Sequence, residues 1–298
     1  MKRGVVVVGI LLSALVPVQP ACAGGAWVPA PGNGYIQLGF SRKTASSSWD
    51  AQGHSFVNDS YHDFRYAYLS GEVGLMKNLS GNFLFTYLYG LEGPHNDEEK
   101  NAGLSDAWLG LKYQVHHGDL PMAVSFTYRT PFFYDLPGAY SRYLYNRDGS
   151  IRSTSPEWRG ILKHDYTLMY LVSHSFDDSK GWWDVEFGYV WREGAPADQF
   201  PLWVEAGHSL PWLGAQAKLF AQCIRSRGNN TPHEPDDRFG DSPTFSFNRG
   251  SMARVGGSVI VPISTVHRWS IEAGYNQWVW GRSARQYREP FLSIGHSF

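Results

Sequence analysis

The 298-residue chain has little charge and almost no cysteine. Charged residues make up 18% of the sequence, against roughly 25% in an average soluble domain. The 26 lysines and arginines nearly balance the 27 aspartates and glutamates, and the formal net charge is −1. Because there is no basic excess to attract phosphate groups, we expect no nucleic-acid partner.

Long apolar runs are also absent beyond the first residues. After position 23, no apolar run approaches the 18 or so residues that a transmembrane helix needs, and the mean hydropathy is −0.33. These values exclude a bundle of membrane helices. Aromatic residues reach 15% and glycine is abundant, which excludes a disordered chain and is typical of alternating β-structure.

The N-terminus has the three parts of a secretory signal peptide. Lys2 and Arg3 precede the apolar stretch 4–18, and Ala-Cys-Ala at 21–23 is a small-residue cleavage site. We therefore predict a signal peptide over residues 1–23, cleaved after Ala23, and an outer-membrane β-barrel domain over residues 24–298.

Two alternatives for this segment are weaker. A retained membrane helix would be short and broken by Pro17 and Pro20, and a lipoprotein anchored through Cys22 would have Gln19-Pro20 where an aliphatic residue is usual. Cleavage would leave Cys223 as the single cysteine, so no intramolecular disulfide could form.

Alternation of polar and apolar residues recurs along the mature chain. It is clear in the segments YIQLGFSRK (35–43), DAWLGLKYQV (106–115) and WDVEFGYVWR (183–192). Each of these segments has one wholly apolar face, which predicts β-strands. A soluble β-sandwich, which also buries one face of each strand, is the alternative to a membrane barrel.

Three features favour the barrel. Aromatic residues collect near the ends of the apolar faces, short turns alternate with longer polar stretches, and the final segment 288–298 closes on Phe298. A terminal aromatic resembles the signal that the outer-membrane barrel assembly machinery recognises. We predict an all-β, transmembrane, antiparallel up-and-down β-barrel of about 12 strands, with both termini periplasmic.

The strands are predicted near 34–44, 62–75, 80–91, 104–115, 121–131, 161–175, 182–193, 200–210, 214–226, 250–262, 267–280 and 288–298. The third of them is apolar throughout, and its facing cannot be decided from the pattern. Long outer loops are predicted near 45–61, 92–103, 132–160 and 227–249. The last two are candidates for folding into the mouth of the barrel.

Three blocks in the first half of the chain carry a family resemblance: AWVPAPGNGYIQLGFS (26–41), GEVGLMKNLSGNFLFTYLYG (71–90) and GLSDAWLGLKYQVHHGDLPMAVSFTYRTP (103–131). They resemble the outer-membrane proteins grouped with the phenol-degradation (meta-pathway) transporter family. The resemblance implies a Gram-negative outer-membrane β-barrel, loosely labelled as a transporter of small molecules.

Charged residues of both signs share the polar faces of the strands and are candidates to face the lumen. The acidic set is Glu72, Asp106, Asp165, Asp184, Glu186, Glu205, Glu272 and Glu289, and the basic set is Lys112, Arg129, Lys163, Arg192, Lys218, Arg254 and Arg268. Such a balanced set suits either ion-paired filler of the interior or a polar solute site, and not a strongly ion-selective pore. The opposite facing would put charges into lipid, at about 2–4 kcal/mol for Arg or Lys at the midplane.

The stretch 132–160 is the longest between strands and is rich in tyrosine and arginine. Its candidate gating residues are Tyr134, Tyr140, Arg142, Tyr143 and Arg147. Aromatic faces beside cations could narrow the outer mouth and contact an entering solute. The alternative is that this stretch packs against lipopolysaccharide or a neighbouring protomer.

Catalytic and metal-binding patterns are weak. In the dipeptides His174-Ser175 and His208-Ser209, neighbouring strand residues point to opposite faces, so neither forms a catalytic pair by itself. The acidic, histidine-containing runs at 95–99 and 233–237 are typical of solvated loops. We expect no enzymatic activity, no metal site and no cofactor.

Two functions remain. The first is an outer-membrane channel or transporter for passive passage of small molecules, with apolar or aromatic ones as candidate solutes. The second is a non-conducting barrel that acts structurally, or through its extracellular loops or a periplasmic partner. In both cases outer-membrane lipid and lipopolysaccharide are the expected surroundings.

Overall fold

A computed structural model describes residues 24–93, 99–131, 142–145, 151–155, 164–176, 180–193, 197–227, 250–264 and 268–298. No helix among these residues is long and apolar enough to cross a bilayer. The strands are β1 Gly34–Trp49, β2 Ser55–Met76, β3 Leu79–Gly93, β4 Glu99–His116, β5 Met122–Thr130, β6 Arg142–Tyr145, β7 Ile151–Ser155, β8 Asp165–Ser175, β9 Gly181–Arg192, β10 Asp198–Leu210, β11 Ala215–Arg227, β12 Ser251–Ser264, β13 Trp269–Arg282, β14 Ala284–Arg285 and β15 Arg288–Ser297.

Twelve long strands close into a barrel. Their order is β1-β15-β13-β12-β11-β10-β9-β8-β5-β4-β3-β2, all neighbours are antiparallel, and β2 pairs again with β1. The two-residue β14 adds to the end of β1, and β6 pairs with β7 as a separate hairpin. The predicted antiparallel up-and-down barrel is confirmed. A closed ladder satisfies the backbone hydrogen bonds that lipid could not.

The first and last barrel strands meet at one end. The Gly34 amide donates to the Phe298 carbonyl at 3.1 Å, and the Phe298 amide donates to the Gly34 carbonyl at 3.0 Å. We name this the turn end, because the short connections at 77–78, 117–121, 176–180, 211–214 and 265–268 also lie there. The opposite end, which carries the connections 94–98, 131–164 and 228–250, is the loop end.

Two of the predicted loops are largely strand. In place of the loop at 45–61, β1 continues to Trp49 and β2 begins at Ser55, so that prediction was wrong. Asp50 holds the intervening turn, since its Oδ1 accepts hydrogen bonds from the amides of Gln52 at 2.9 Å and His54 at 2.8 Å. Desolvation raises the pKa of Asp50, but these donors outweigh it and hold the pKa below its usual range.

The segment 92–103 is also shorter as a loop than predicted. β3 continues to Gly93 and β4 begins at Glu99. Glycine, glutamate, lysine and asparagine make up most of these strand ends, and their low β-propensity hid the extended backbone that neighbouring strands impose. The segment 227–249 lies outside the described residues apart from its first one.

Apolar side chains lie on the outer face of the barrel and polar side chains on the inner face. Leu38, Leu109, Leu111, Leu219, Val255 and Leu292 are exposed, whereas Glu72, Ser80, Lys112, Ser173 and Asp184 are buried. This is the reverse of a soluble β-sandwich, which buries its apolar faces, so the sandwich alternative is excluded.

The structure also decides the facing of β3. Tyr87 is exposed, and Phe83 and Phe85 share its side of the strand, 5.5 Å apart between ring centroids. On the other side Ser80 is fully buried and donates to Glu72. The aromatic residues of this strand therefore face outward.

Exposed aromatic residues form a belt at each end. Near the turn end these are Tyr113, Phe176, Trp212, Trp269 and Phe298, and near the loop end Phe56, Tyr166, Trp191, Phe200 and Trp280. Amphipathic rings at both ends of an apolar band are typical of barrels that span a membrane.

Candidate functional site in the barrel interior

The interior charges fall into two groups along the barrel axis. The turn-end cluster contains Glu72, Lys112, Asp184, Glu186, Glu205, Lys218 and Glu272, and the loop-end cluster contains Lys43, Asp106, Arg129, Asp165, Arg192, Arg254 and Glu289. The turn-end cluster thus has five carboxylates against two ammonium groups, whereas the loop-end cluster has three carboxylates against four cations. The sequence predicts nearly equal numbers of acidic and basic residues in the lumen, and it does not show that the two signs are unevenly distributed along the barrel axis.

Lys112 and Glu72 form the most deeply buried pair of the turn-end cluster. The Lys112 ammonium lies 2.9 Å from Glu72 Oε1 and 3.0 Å from Oε2, and the Ser80 hydroxyl donates to Oε1 at 2.5 Å. Because β3 separates β4 from β2, the pair reaches along the inner wall across one strand.

Lys218 organises the other side of the same cluster. Its ammonium lies 3.1 Å from Glu272 Oε1 and 3.5 Å from Glu205 Oε2. Ser258 donates to Glu272 at 2.6 Å and Gln37 donates to it at 3.2 Å. Five strands, β1 and β10 to β13, are thereby joined through one polar network.

Residues 24–33, which we name the N-terminal segment, cross the interior at the turn end. The Gly25 amide donates to Glu186 Oε1 at 3.2 Å, the Ala26 amide donates to Ser173 Oγ at 2.6 Å, and Lys112 donates to the Gly25 carbonyl at 3.1 Å. Gly32 and Asn33 bond to Gly74 of β2, which is five positions from β9 in the order of strands, so the segment spans the lumen between these two parts of the wall. Ala26 is fully buried there.

The segment leaves the interior along β2. The Gly32 amide donates to the Gly74 carbonyl at 2.9 Å, and the Gly74 amide donates to the Asn33 carbonyl at 2.9 Å. These bonds hold the end of the segment against β2, directly before β1 begins at Gly34. The chain's own N-terminal residues therefore fill part of the described turn end of the barrel.

Gly25 is required by this arrangement. Its φ of +68° lies in the left-handed region, and a Cβ there would collide with Asp184 Oδ1 and Ser173 Oγ. Only glycine combines that backbone conformation with so close an approach to the wall.

The charged residues of the loop-end cluster also form ion pairs with each other. Arg129 pairs with Asp106 and lies 3.5 Å from Asp165, which lies 3.5 Å from Arg192. On the opposite wall, Glu289 lies 3.4 Å from Arg254 and 3.6 Å from Lys43.

Aromatic rings surround two of these cations. The Arg254 guanidinium lies 5.6 Å from the Trp203 ring centroid and 5.2 Å from that of Trp278, while the Lys43 ammonium lies 4.7 Å from the Tyr66 ring and 5.7 Å from Trp278. We name these five residues the aromatic–cation site. Cation–π contacts of this kind hold a cation without neutralising its charge.

The predicted lumen candidates divide as follows. Glu72, Lys112, Asp184, Glu186, Glu205, Lys218 and Glu272 lie in the turn-end cluster, and Arg129, Arg192 and Arg254 lie in the loop-end cluster. Arg268 is an exception: it lies in the turn before β13 with φ +51°, and its side chain is exposed. The strand alternation that suggested an inward facing does not continue through a turn.

The gating candidates fall mostly outside the described part of the chain. This holds for Tyr134, Tyr140 and Arg147, as it does for the lumen candidate Lys163. Arg142 and Tyr143 belong to β6, where they pair with Ser155 and Thr154 of β7.

Sequence reasoning missed Lys43, the N-terminal segment and one outward charge group. Lys43 shares the parity of Gln37, which would have identified it. On the outer face, Asp63 is buried beneath Arg42 at 2.9 Å and Arg65 at 3.1 Å. Near the membrane interface a charge costs only about 0–1 kcal/mol, so a group of one carboxylate and two guanidinium groups can face outward toward the loop end.

The histidines of the two Ser/His dipeptides bond to backbone. His174 Nδ1 lies 2.7 Å from the Asp119 carbonyl oxygen, and His208 Nδ1 lies 2.6 Å from that of Ser209. The described residues contain no group of three or more histidine, cysteine, aspartate or glutamate side chains placed to hold a metal ion.

Solved structures share this architecture at low sequence identity. The COG4313 outer membrane channel from Pseudomonas putida F1 has a TM-score of 0.66 and 11% identity, covering 93% of this chain and 98% of that chain. This is the fold of an outer-membrane β-barrel. The translocator domain of autotransporter NalP from Neisseria meningitidis has a TM-score of 0.50 and 10% identity, covering 91% of this chain and 90% of that chain.

The beta domain of the Bordetella autotransporter Brka is similar to the same extent, with a TM-score of 0.50 and 12% identity, covering 90% of this chain and 100% of that chain. No family model and no curated protein matches the sequence, and the resemblance to the phenol-degradation family is not confirmed. Because channels and autotransporter domains share the fold, the function must be argued from the interior.

Proposed function

We propose that this protein is an outer-membrane channel for passive passage of small molecules, with apolar or aromatic molecules as its preferred solutes. In this proposal the mature chain, residues 24–298, lies in the outer membrane of a Gram-negative cell. The turn end faces the periplasm and the loop end faces outward, where lipopolysaccharide contacts the outer face.

The aromatic–cation site is the observation that carries the proposal. Trp203, Trp278 and Tyr66 place three large rings inside the barrel beside Arg254 and Lys43. Arg254 Nε has no hydrogen-bond partner among the described residues. A flat aromatic solute could stack on the rings while this donor holds a polar substituent.

Passage through the turn end requires the N-terminal segment to move. In the interior its first residues are held by hydrogen bonds to Glu186, Ser173 and Lys112, and they belong to no strand of the barrel wall. The segment can therefore leave the lumen while the wall stays intact. We infer that the resting channel is narrow and that the segment sets its conductance.

Planar-bilayer recording of the purified protein tests the proposal. We expect small single-channel currents that aromatic solutes reduce more than charged, non-aromatic solutes of similar size do. Replacing both Trp203 and Trp278 by Ala should abolish this difference, whereas Trp212→Ala, an exposed ring in the turn after β10, should leave it intact. Equal block by both solute classes in the unsubstituted protein would contradict the proposed preference.

A non-conducting barrel is the second candidate, and the burial of the interior charges favours it. Glu72, Lys112 and Asp184 are all at most 4% exposed, as expected for a filled lumen that stabilises the wall. Deleting residues 24–33 separates the two functions. A channel should gain conductance, whereas a structural barrel with a filled interior should pass no current with or without the segment.

A further inference from the structure

Asp184 has an unsatisfied oxygen that points at the N-terminal segment. The residue is 3% exposed, and Oδ1 has no hydrogen-bond partner among the described residues. This atom occupies the place where a Cβ of Gly25 would lie. A buried carboxylate oxygen without a partner is costly, and its position indicates that a positively charged donor belongs beside Gly25.

Glu186 lies beside the same segment and also lacks a cation. Its Oε1 accepts the Gly25 amide at 3.2 Å. The cation at this wall, Lys112, is already bound to both oxygens of Glu72 and to the Gly25 carbonyl. Within the described interior, neither Asp184 nor Glu186 forms an ion pair with a side chain. Two buried carboxylates therefore lie together, and neither has an ion-pair partner of its own, since Lys112 pairs with Glu72.

We propose that the α-ammonium group of Gly24, created by cleavage after Ala23, is the cation that Asp184 and Glu186 bind. Hydrolysis of the Ala23–Gly24 amide by signal peptidase adds one water, leaves a carboxylate on Ala23 and an amine on Gly24, and the amine takes up a proton from solvent. The inference rests on this cleavage position, and it goes beyond the proposed function because it does not require solute passage.

The geometry around Gly24 suits this role. Gly24 directly precedes the residue whose amide bonds to Glu186, so its nitrogen lies within about 7 Å of that carboxylate. A Cβ at Gly24 would meet no atom within 4 Å, which leaves room for the nitrogen to turn toward Asp184. In an uncleaved chain the same nitrogen is a neutral amide. Processing would thus convert a weakly held segment into an anchored one.

Reactivity of the terminal amine tests the proposal. The purified, detergent-solubilised protein is first checked by intact mass for a chain that starts at Gly24. It is then treated at fixed neutral pH with an aldehyde selective for α-amines, and labelling is followed by mass spectrometry. A rise of one unit in the pKa of the ammonium lowers the reactive neutral fraction about tenfold, so we expect labelling at least about tenfold slower than in urea.

The variant that carries both Asp184→Asn and Glu186→Gln should label several-fold faster than the unsubstituted protein. Glu272→Gln is the matched control, since this carboxylate has its own cation in Lys218 at 3.1 Å, and its labelling should be unchanged. Inserting two glycines after Gly24 moves the ammonium and leaves both carboxylates in place. If the double variant does not fold, the same acceleration is expected from this insertion.

Three results would overturn the inference: a mature chain that does not start at Gly24, labelling of the folded protein at the rate found in urea, or an equal rate in the folded protein and the variants. These outcomes are independent of bilayer recording. A conducting protein with a freely reactive amine would refute the anchor alone, and a protected amine in a non-conducting protein would refute the channel alone.

Discussion

Lys112 shows how much of the interior can depend on one side chain. Its ammonium reaches both oxygens of Glu72 and the carbonyl of Gly25, and only 5% of its side chain is exposed. It therefore joins β4, β2 and the N-terminal segment at one point. Removing one partner of a buried ion pair leaves the other charge uncompensated.

We predict that Lys112→Met lowers the free energy of unfolding by about 3–5 kcal/mol, because Glu72 would stay buried without its cation. Adding Glu72→Gln to this variant should restore most of the loss. Urea unfolding in detergent micelles, followed by tryptophan fluorescence, measures both. Lys43→Met, whose side chain is 26% exposed, is the control and should cost less. An equal loss in the single and double variants would contradict the ion-pair argument.

The outer face gives a second prediction at the residue scale. Leu111→Arg places a guanidinium in the apolar band and should destabilise the barrel by about 2–4 kcal/mol in lipid, since the charge must leave water. Val57→Arg is the matched control, because Val57 is also exposed but lies near the loop end, where the cost is about 0–1 kcal/mol. Unfolding measured in lipid vesicles compares them, and equal effects would argue against a membrane around Leu111.

At the scale of elements, β15 closes the barrel. It pairs with β13 on one side and with β1 on the other, and the backbone of Phe298 exchanges two hydrogen bonds with Gly34. Its final side chain is exposed within the turn-end belt. This position allows the terminal residue to be contacted by other proteins before closure.

Deleting Phe298 should impair assembly, because the deletion removes both closing hydrogen bonds and the terminal aromatic that we propose the assembly machinery recognises. We expect a lower outer-membrane yield and degradation in the periplasm, measured by immunoblotting of cell fractions. Phe176→Ala, a change to another exposed ring of the same belt, should assemble normally. Unchanged yield after the deletion would show that the terminal residue is dispensable.

The segment between β5 and β8 gives the second prediction at this scale. If residues 132–160 narrow the outer mouth, as their tyrosine and arginine content suggests, shortening them should raise single-channel conductance and weaken discrimination among solutes. Unaltered conductance together with changed detergent sensitivity or oligomer stability would favour contact with lipopolysaccharide or a neighbouring protomer. Removing residues 51–53 from the short β1–β2 turn, at the same end of the barrel, serves as the control.

At the scale of the whole molecule, the closed sheet and its outward apolar face act together. Among the described strands no barrel edge is left unpaired, and the apolar residues Leu38, Leu109 and Leu292 lie outside. A molecule of this kind needs lipid or detergent around the apolar band of its outer face. It should also resist dissociation of single strands, because each strand is held on both sides.

We therefore expect the protein to stay in the membrane pellet after a carbonate wash. It should also migrate differently on SDS gels before and after boiling. Without boiling, SDS should leave the strands of the barrel hydrogen-bonded and the protein folded. A Leu111→Arg sample should lose the unboiled form at a lower temperature. Release into the carbonate supernatant would contradict insertion in the membrane.

The amino-acid order by itself determined the strands and their two faces. The alternation at Ile36–Leu38–Phe40 and at Val124–Phe126–Tyr128 has period two, and period two specifies both an extended strand and the side on which its apolar residues lie. The predicted fifth strand, 121–131, differs from β5 at Met122–Thr130 by one residue at each end. Glu72, Lys112 and Lys218 were found through the same parity.

Tertiary structure decided what local pattern does not encode. The facing of β3, with aromatic residues on one side and leucines on both, follows from its neighbours β2 and β4. The strand ends near Trp49 and Ser55 are extended because adjacent strands pair with them. Closing the sheet decides which charges meet. It also places Gly25 against Glu186 and Ala26 against Ser173 inside the lumen. Closure brings together residues that are 147 and 161 positions apart in the chain. The alternation of residues within one strand carries no information about contacts over such a separation.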